Sequence, residues 1–496
     1  MPDTRPNILY IMSDDHTVNA VSAYNGWLNE AVDTPNIDRI ALEGVRFDNC
    51  ICNNSLCSPS RASIMTGQYS HKNGVMRLNQ PLEEGHPNFV RQLQASGYQT
   101  GIAGKWHLGS DPDGFDYWEV LPGQGDYFDP KFTRNGEPTQ YEGYATDIIT
   151  DLSLDWLKQR DAETPFFLMC QHKAPHGLWE YAPRHADLFT DGDLPEPSNL
   201  YTQFEKVSGA FMGHERTMIS QADRMNDGVR GKEWPTGRLD TTGMNDEEKI
   251  HAGYQKYVKD YLRCITAIDE GVGRLLDYLD AQGLADNTVV MYTSDNGMFQ
   301  GDHGWVDKKM MYEESLRVPF LIRYPDGIAA GTQSTDLVTN CDYAPTILEY
   351  AGLEVPEDIQ GRSLVPVFSG DTPEDWRSAF YYQHWDTSPD GELANCGVRT
   401  KDHKLIWYHH NYDHYQLFDV NKDPLELNDV FADPEYASVV EDMKALLFQE
   451  RENVGLTDEL ENRIFNGEGV PEARKRMQAI PKMVAENTER LAQASG

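Results

Sequence analysis

The chain has 496 residues, of which 43 are basic and 80 acidic, so its formal net charge is -37. A surface this acidic repels nucleic acids and anionic membranes, and we therefore expect neither as a partner. Hydrophobic residues make up 39% of the chain, and no apolar run reaches the ~18 to 20 residues that cross a bilayer. The N-terminal sequence lacks a secretory signal pattern, which predicts a cytoplasmic protein, or a periplasmic one if the sequence has been trimmed.

Four short apolar runs, each followed by polar residues, predict strands that are buried on both faces of a sheet. They lie at 7–15, 100–109, 165–176 and 288–297. Helical patterns occur between them, at 34–44, 87–97, 144–160 and 247–283. This alternation predicts an α/β fold with a doubly wound, mostly parallel sheet flanked by helices.

The sequence changes character near residue 370. Segments beyond it, such as FYYQHWD and YQLFDV, are typical of antiparallel strands rich in aromatic residues, and helices follow from about residue 434. We therefore predict a catalytic domain over 1–370 and a smaller C-terminal α+β domain over 371–496, built on an antiparallel sheet with terminal helices. The Gly- and Pro-rich stretch 177–250 is interpreted as an excursion over the rim of the site.

Charged and polar side chains gather at the ends of the four predicted strands. Ligands of doubly wound sheets bind beyond the carboxyl ends of the strands, so four such groups at one edge indicate a functional site. The groups are Asp14 and Asp15, Lys105 and His107, His172 and His176, and Asp295 and Asn296.

The two acidic pairs indicate a metal site. Asp14, Asp15, Asp295 and Asn296 offer only oxygen ligands, which suit a hard divalent cation such as Ca²⁺ or Mg²⁺. Adjacent aspartates at a strand end repel one another unless a cation neutralises them. Either pair alone would be typical of a solvated turn or a helix cap, but two pairs after two apolar runs favour a metal.

Cationic side chains complete the predicted site. Arg61, Lys105 and Lys308 could converge on a tetrahedral oxyanion, where fixed positive charge best stabilises a charged transition state. The spacing does not distinguish Lys308 from its neighbour Lys309. Lys105 and His107 lie on the same face of an extended segment.

Histidine is the natural proton donor near neutral pH, and four histidines are candidates for that role. They are His107, His172, His176 and His303. His172 and His303 are as readily explained as structural residues, and the sequence leaves them undecided.

Cys57 opens the segment CSPSRASIMTGQ. A thiolate beside Arg61 and a cation would have a lowered pKa and could attack a sulfate or phosphate ester. Metal ligands made purely of oxygen do not match a soft sulfur partner, however, and an oxygen nucleophile is needed beside a hard cation. The mismatch indicates that residue 57 is not a cysteine in the working protein. The seven cysteines do not otherwise suggest a disulfide framework.

With these residues, the chain resembles a type I sulfatase of the alkaline-phosphatase-like superfamily. CSPSR at 57–61 matches that family's C-x-P-x-R signature, and SDD, GKWHLG, APH, SDNG and DKKMMYEES occur in the family's order. The resemblance covers nearly the whole chain. It implies that a separate formylglycine-generating maturation enzyme oxidises Cys57 to Cα-formylglycine.

The resemblance also implies a role for each residue. It implies Ca²⁺, with Mg²⁺ or Mn²⁺ as alternatives, held by Asp14, Asp15, Asp295, Asn296 and an oxygen of modified Cys57. Arg61 would orient the formylglycine hydrate, Lys105, His176 and Lys308 would grip the sulfate oxygens, and His107 would bond to the hydrate. One hydroxyl of the hydrate would attack sulfur, and loss of the second proton would expel sulfate and restore the aldehyde.

The segments GFDYWEVLPGQGDYFDP and HKAPHGLWEYAPRH look like those of carbohydrate sulfatases, especially N-acetylglucosamine-6-sulfatase-like and iduronate-sulfatase-like members. We therefore expect a sulfatase acting on aryl or carbohydrate sulfate monoesters. Related sequences tend to carry a histidine before GVRT, where this chain has Asn395 and Cys396, so the sugar preference does not carry over from the resemblance.

Two alternatives stay open in the sequence. One is a phosphonate or phosphate ester hydrolase of the same superfamily, and the other is a catalytically inactive relative that binds sulfated glycans. A homo-oligomer is compatible with the sequence.

Overall fold

The computed structural model describes residues 5–28, 30–202, 216–368, 370, 372–386, 394–409 and 413–466. A ten-stranded sheet forms its centre, in the order β13-β2-β12-β9-β1-β8-β4-β5-β6-β7. In chain order, the strands of this sheet and of three smaller sheets are β1 (Asn7–Ser13), β2 (Val45–Phe47), β3 (Cys50–Ile51), β4 (Gln99–Lys105), β5 (Tyr117–Leu121), β6 (Lys131–Arg134), β7 (Glu137–Gln140), β8 (Phe166–Gln171), β9 (Thr288–Ser294), β10 (Phe299–Gln300), β11 (Val306–Asp307), β12 (Phe320–Arg323), β13 (Thr332–Ser334), β14 (Val338–Thr339), β15 (Ala379–His384), β16 (Asn395–Thr400), β17 (His403–Tyr408) and β18 (His414–Asp419).

Helices cover both faces of this sheet and one face of a second, smaller sheet. They are α1 (Pro35–Leu42), α2 (Cys57–Thr66), α3 (Ser70–Asn73), α4 (Phe89–Ala95), α5 (Ala145–Gln159), α6 (Met218–Asp227), α7 (Asp246–Ala281), α8 (Glu313–Leu316), α9 (Tyr343–Tyr350), α10 (Val365–Phe368), α11 (Ala437–Asn453) and α12 (Asp458–Asn466). In the described ranges, none of them is long and apolar enough to cross a membrane.

The central strands form where the apolar runs are longest. Every residue of β1, β8 and β9 is buried, as expected for strands covered on both faces. β1 pairs in parallel with β8 on one side and with β9 on the other, and β4 continues the parallel pairing beyond β8. The predicted doubly wound, mostly parallel sheet is confirmed.

Helix α7 closes one face of the sheet against α1 and α5. It begins at a capping box, in which the Asn245 side chain accepts a hydrogen bond from the Glu248 backbone at 2.9 Å and the Glu248 carboxylate accepts one from the Asn245 backbone at 2.9 Å. Together these bonds satisfy two of the amides at the helix start that have no partner within the helix. The helix therefore begins near the point that its sequence predicts.

A second, four-stranded antiparallel sheet runs in the order β15-β16-β17-β18. Helix α11 covers one face of it, and the segment Met310–Tyr312 packs on the other face. The predicted C-terminal antiparallel sheet is confirmed. The boundary at residue 370 stays a prediction, and residues 467–496 of the predicted domain lie outside the described residues.

One edge of the large sheet was not predicted. β5, β6 and β7 extend one edge, and β6 and β7 pair antiparallel to their neighbours. Their short, partly exposed sequences lack the apolar runs that identified the central strands. In the predicted rim excursion 177–250, α6 is the main regular element of the described part, and residues 203–215 lie outside it.

Candidate active site

The candidate site lies at the carboxyl ends of β1 and β9. Ser13 and Ser294 are register partners at the ends of these parallel strands, so the residues that follow them meet at one edge of the sheet. Asp14 and Asp15 follow β1, and Asp295 follows β9. Carboxylate oxygens of these three aspartates lie within 4.8 Å of one another. The predicted convergence of the two acidic pairs is therefore present.

Burial sets the charge state of this acidic group. All three side chains are at most 1% exposed. Burial, followed by the negative charge of Asp14, raises the pKa of Asp295 to about 7. Burial also acts to raise the pKa of Asp14, but Lys105 and other nearby cationic side chains hold it well below its usual range. The group thus carries crowded carboxylates whose charge a divalent cation would balance.

Asn296 lies beside these carboxylates. Its side-chain amide donates hydrogen bonds to Asp15 and, at 3.2 Å, to the backbone carbonyl of Gly297. Its Oδ1 atom is buried and has no hydrogen-bond partner among the described residues. Buried amide oxygens are normally paired, so this atom is available to a ligand such as a hard cation.

Cys57 is the first residue of α2 and is 1% exposed. Its thiol donates to Asp14 Oδ1, with Sγ 3.4 Å from that oxygen. Burial, and next the charge of Asp14, raises the pKa of the Cys57 thiol. This direction is opposite to that of an activated thiolate nucleophile, and it agrees with the inference that residue 57 does not act as a thiolate.

Arg61 lies one helical turn after Cys57. Its Nε donates to Asp295 Oδ2 at 2.9 Å, and its Nη1 donates to Gln171 Oε1 at 2.8 Å. A third contact, of 3.8 Å, joins Nη2 to Asp14 Oδ1. The guanidinium is therefore fixed between two of the carboxylates.

Two lysines lie on the other side of the carboxylates. Lys105 Nζ donates to the Asp14 carboxylate and to Gln124 Oε1, the latter at 2.6 Å. Lys308 Nζ lies 2.6 Å from both carboxylate oxygens of Asp15. The structure thus brings Lys308 into the site.

Lys309, which spacing could not separate from Lys308, occupies a different position. Its ammonium lies 3.7 Å from Asp307 Oδ2, and its backbone has a φ of 90°. This left-handed conformation turns the chain between the two lysines, so only one of them faces Asp15.

His107 and His176 both lie in the site. His107 Nε2 donates to Asn79 Oδ1 at 3.0 Å, and its Nδ1 is buried without a partner among the described residues. Burial, together with Lys105 and Arg61, lowers the pKa of His107 to about 3. His176 Nδ1 donates to the backbone carbonyl of Gly177 at 2.8 Å, and its Nε2 is 3.9 Å from Asp15 Oδ2.

His172 and His303 lie elsewhere in the described part of the chain. His172 Nε2 lies 3.6 Å from Cys170 Sγ, beneath α7. Successive residues of a strand point to opposite faces, so Gln171 reaches Arg61 while His172 turns away. The His303 ring stacks on Trp305, with ring centroids 5.4 Å apart. Both are structural residues in this fold.

Three polar residues of the site were missed by the sequence analysis. Gln171, Gln124 and Asn79 hold Arg61, Lys105 and His107 respectively. Gln171 ends the otherwise apolar strand FFLMCQ, and that contrast could have identified it. Gln124 and Asn79 lie in loops whose course the sequence did not predict.

Sequence comparison agrees with this geometry. The profile of the sulfatase family matches residues 6–353, and the profile of the C-terminal region of N-sulphoglucosamine sulphohydrolase matches residues 301–453. The chain belongs to the sulfatase family. Sulfatases hydrolyse sulfate esters with a formylglycine and a bound metal, so the chain is a sulfuric ester hydrolase and the predicted function is confirmed.

Two relatives extend this assignment. An N-acetylglucosamine-6-O-sulfatase of Bacteroides thetaiotaomicron is 42% identical, over 94% of this chain and 90% of the relative. An arylsulfatase of Clostridium perfringens is 27% identical, over 92% of this chain and 96% of the relative.

A solved structure is similar at the level of the whole fold. It shows a protein in complex with its substrate, D-glucosamine-2-N,6-O-disulfate. That protein is 40% identical to this sulfatase, with a TM-score of 0.87, and the match covers 92% of this chain and 99% of the other.

Proposed function

We propose that this sulfatase removes the 6-O-sulfate of glucosamine residues, with formylglycine at position 57 and Ca²⁺ as the metal. The observation that carries the proposal is the match, over 92% of the chain, to a protein whose substrate is a 6-O-sulfated glucosamine. The N-acetylglucosamine-6-O-sulfatase of Bacteroides thetaiotaomicron, named for the same sulfate position, matches over 94% of the chain.

We assign the metal to the oxygen atoms of four side chains and of modified Cys57. The four side chains are those of Asp14, Asp15, Asp295 and Asn296. The residues fit an ion because three buried carboxylates lie within 4.8 Å of one another beside an unpartnered amide oxygen. Carboxylate and amide oxygens suit Ca²⁺, which accepts flexible coordination, whereas Mg²⁺ demands near-octahedral geometry. When bound, the ion supplies positive charge that offsets the carboxylates and the charge of the sulfuryl group.

Formylglycine, as its hydrate, supplies an oxygen nucleophile and a second hydroxyl whose deprotonation releases sulfate. The chain positions this residue at the start of α2, next to Asp14. Arg61 is held by Asp295 and Gln171, so its charge stays fixed beside residue 57. A rigid cation of this kind stabilises developing negative charge without reorganisation.

Two histidines can move protons in this arrangement. His107 carries its proton on Nε2, bonded to Asn79, so its buried Nδ1 lone pair can accept a proton from residue 57. His176 donates its Nδ1 proton to Gly177, which directs Nε2 towards the site. When protonated, Nε2 can donate to the departing sugar oxygen.

Lys105 and Lys308 would bind the sulfate oxygens. Each ammonium has three donors, and Lys105 is bound by Asp14 and Gln124 while Lys308 is bound by Asp15. Two donors of the Lys105 ammonium are used by Asp14 and Gln124, so a third would be available to a sulfate oxygen.

The test is sulfate release from N-acetylglucosamine-6-sulfate and from its 3-O-sulfated isomer, by protein co-expressed with a formylglycine-generating enzyme. We expect turnover of the 6-O-sulfate at least about tenfold faster in kcat/KM, and none by Cys57→Ala. Equal or faster turnover of the 3-O-sulfate would overturn the proposed substrate.

A further inference from the structure

Lys173 is a buried cation that the reaction described above does not use. The residue is 4% exposed, and its Nζ lies 4.3 Å from the centroid of the Tyr127 ring. Within the described ranges its ammonium forms this cation–π contact but no hydrogen bond and no ion pair. Removing an ammonium from water costs more free energy than one cation–π contact returns.

The backbone around Lys173 is bonded directly to the active site. The carbonyl of Ala174 accepts a hydrogen bond from the Asp14 backbone amide at 3.1 Å. The Lys173 carbonyl accepts one from the His176 amide, also at 3.1 Å. The turn that carries Lys173 is therefore shared by the metal site and the proposed proton donor.

The loop beneath Lys173 also contacts the sulfate-binding side. The Tyr127 hydroxyl donates to the His176 carbonyl at 2.6 Å. Gln124, in the same loop, accepts from Lys105 Nζ at 2.6 Å. Lys173 thus stacks on a loop that contacts Lys105. It lies near the lysines proposed to bind the sulfate oxygens but is not one of them.

Charges around Lys173 agree with this placement. Burial, followed by the like charge of Lys105, lowers the pKa of Lys173 to about 8, while Asp14 and Glu180 oppose that shift. Lys173 therefore stays mostly protonated at neutral pH. Burial raises the pKa of Glu180, while the positive charge of Lys173 opposes that shift, so the two side chains interact electrostatically.

We propose that Lys173 recognises a second anionic substituent of the sugar, such as a 2-N-sulfate, when the 6-O-sulfate is bound at Lys105 and Lys308. The inference rests on the proposed function. An anion beside Lys173 provides the ionic partner that this buried ammonium lacks in the described chain. Lys173 is thereby a specificity-determining residue, and the enzyme prefers N-sulfated to N-acetylated glucosamine.

The experiment compares kcat/KM for D-glucosamine-2-N,6-O-disulfate and N-acetylglucosamine-6-sulfate in the wild type, Lys173→Met and Lys173→Arg. We expect Lys173→Met to lose about tenfold or more on the disulfate, chiefly through KM, and less than about threefold on the N-acetyl substrate. Lys173→Arg, which keeps the charge, should retain most of the preference. Lys158→Met, at an exposed lysine of α5, serves as the matched control and should change neither value.

Formylglycine content and melting temperature are measured for every variant, so that a folding defect is not read as lost specificity. Equal losses on both substrates would assign Lys173 to holding His176 through Tyr127, and would overturn the proposal. Unchanged kinetics on both would overturn it as well. If the fully modified wild type turns over neither substrate, the proposed function fails first and the inference fails with it.

Discussion

Two buried groups of charged residues in this protein are built differently. The catalytic cluster contains Asp14, Asp15, Asp295, Arg61, Lys105 and Lys308. The sheet-anchoring cluster contains Glu313, Arg399, Lys404 and Glu426, and it joins α8 to the four-stranded sheet. The catalytic cluster crowds three carboxylates together, whereas the sheet-anchoring cluster alternates acids and bases.

Each cluster contains an acid with a lowered pKa, Asp14 or Glu313, and an acid with a raised pKa, Asp295 or Glu426. Burial raises the pKa of Asp295 to about 7 and Asp14 adds to the shift. Burial also acts to raise the pKa of Glu313, but Arg399 and Lys404 outweigh it and hold that pKa well below its usual range. The contrast lies in the arrangement of the side chains. In the catalytic cluster, carboxylate oxygens of three aspartates lie within 4.8 Å of one another, beside the Asn296 Oδ1 atom that has no partner among the described residues. In the sheet-anchoring cluster, Lys404 lies between Glu313 and Glu426. We expect substitutions in the catalytic cluster to reduce activity and those in the sheet-anchoring cluster to reduce stability.

The largest effect is expected from Cys57→Ala, next to the catalytic cluster. Without a precursor for the nucleophile, turnover should fall by about 10⁴-fold or more, while the melting temperature changes little. Sulfate release and thermal unfolding measure the two quantities. Cys170→Ala, a buried cysteine beside His172, is the control and should keep wild-type turnover. Activity of Cys57→Ala within tenfold of wild type would refute the assigned nucleophile.

In the sheet-anchoring cluster, Lys404→Met should destabilise the fold by about 3 to 5 kcal/mol, because Glu313 and Glu426 would lose a buried cationic partner. Denaturant unfolding measures the change. Lys401→Met removes an exposed lysine just before β17 and should cost less than about 0.5 kcal/mol. If both variants lose the same stability, the sheet-anchoring cluster does not hold the sheet.

In the catalytic cluster, Asp14→Asn should lower both the metal content and kcat/KM, and kcat/KM should fall by about 100-fold. Metal analysis and sulfate release are made on the same samples. Asp375→Asn, at an exposed carboxylate, should change neither. Full activity in a metal-free Asp14→Asn protein would rule out the proposed metal site.

The smallest effect concerns His172, which lies in neither cluster. Burial lowers the pKa of His172 to about 4, from about 6.5 in the unfolded chain. The unfolded chain therefore binds this proton first, and the contribution of His172 to stability is lost as pH falls from 6.5 to 4. His172→Gln should weaken the acid sensitivity of unfolding by about 2 kcal/mol over this range, with turnover at neutral pH retained. An unchanged pH dependence would contradict a buried, neutral His172.

The strands and the site residues could be predicted from the sequence where a short local pattern identifies them. The apolar runs of β1 and β9 located the strands, and strand pairing then placed Asp14 and Asp295 at one edge. The choice between Lys308 and Lys309 could not be made, because it depends on a left-handed backbone that spacing does not reveal. The role of His172 was undecided, because the direction of its side chain depends on the exact residue at which β8 ends.

Contacts between segments that are distant in the chain could not be predicted from the sequence. Gln124 reaches Lys105 from a loop between edge strands that the sequence did not predict. The sheet-anchoring cluster joins Glu313 of α8 to Lys404 of β17, and no periodic pattern in the sequence encodes such a pairing. Motifs therefore identified the chemistry, while the supporting side chains needed the fold.

The most direct test of the account is the relation between aldehyde content at residue 57 and turnover. Mass spectrometry of the peptide containing Cys57 gives the fraction converted to formylglycine, and sulfate release from N-acetylglucosamine-6-sulfate gives the rate. Across preparations with different amounts of maturation enzyme, we predict that the rate is proportional to that fraction and vanishes with it. Full activity in protein whose residue 57 remains a thiol would contradict the central claim.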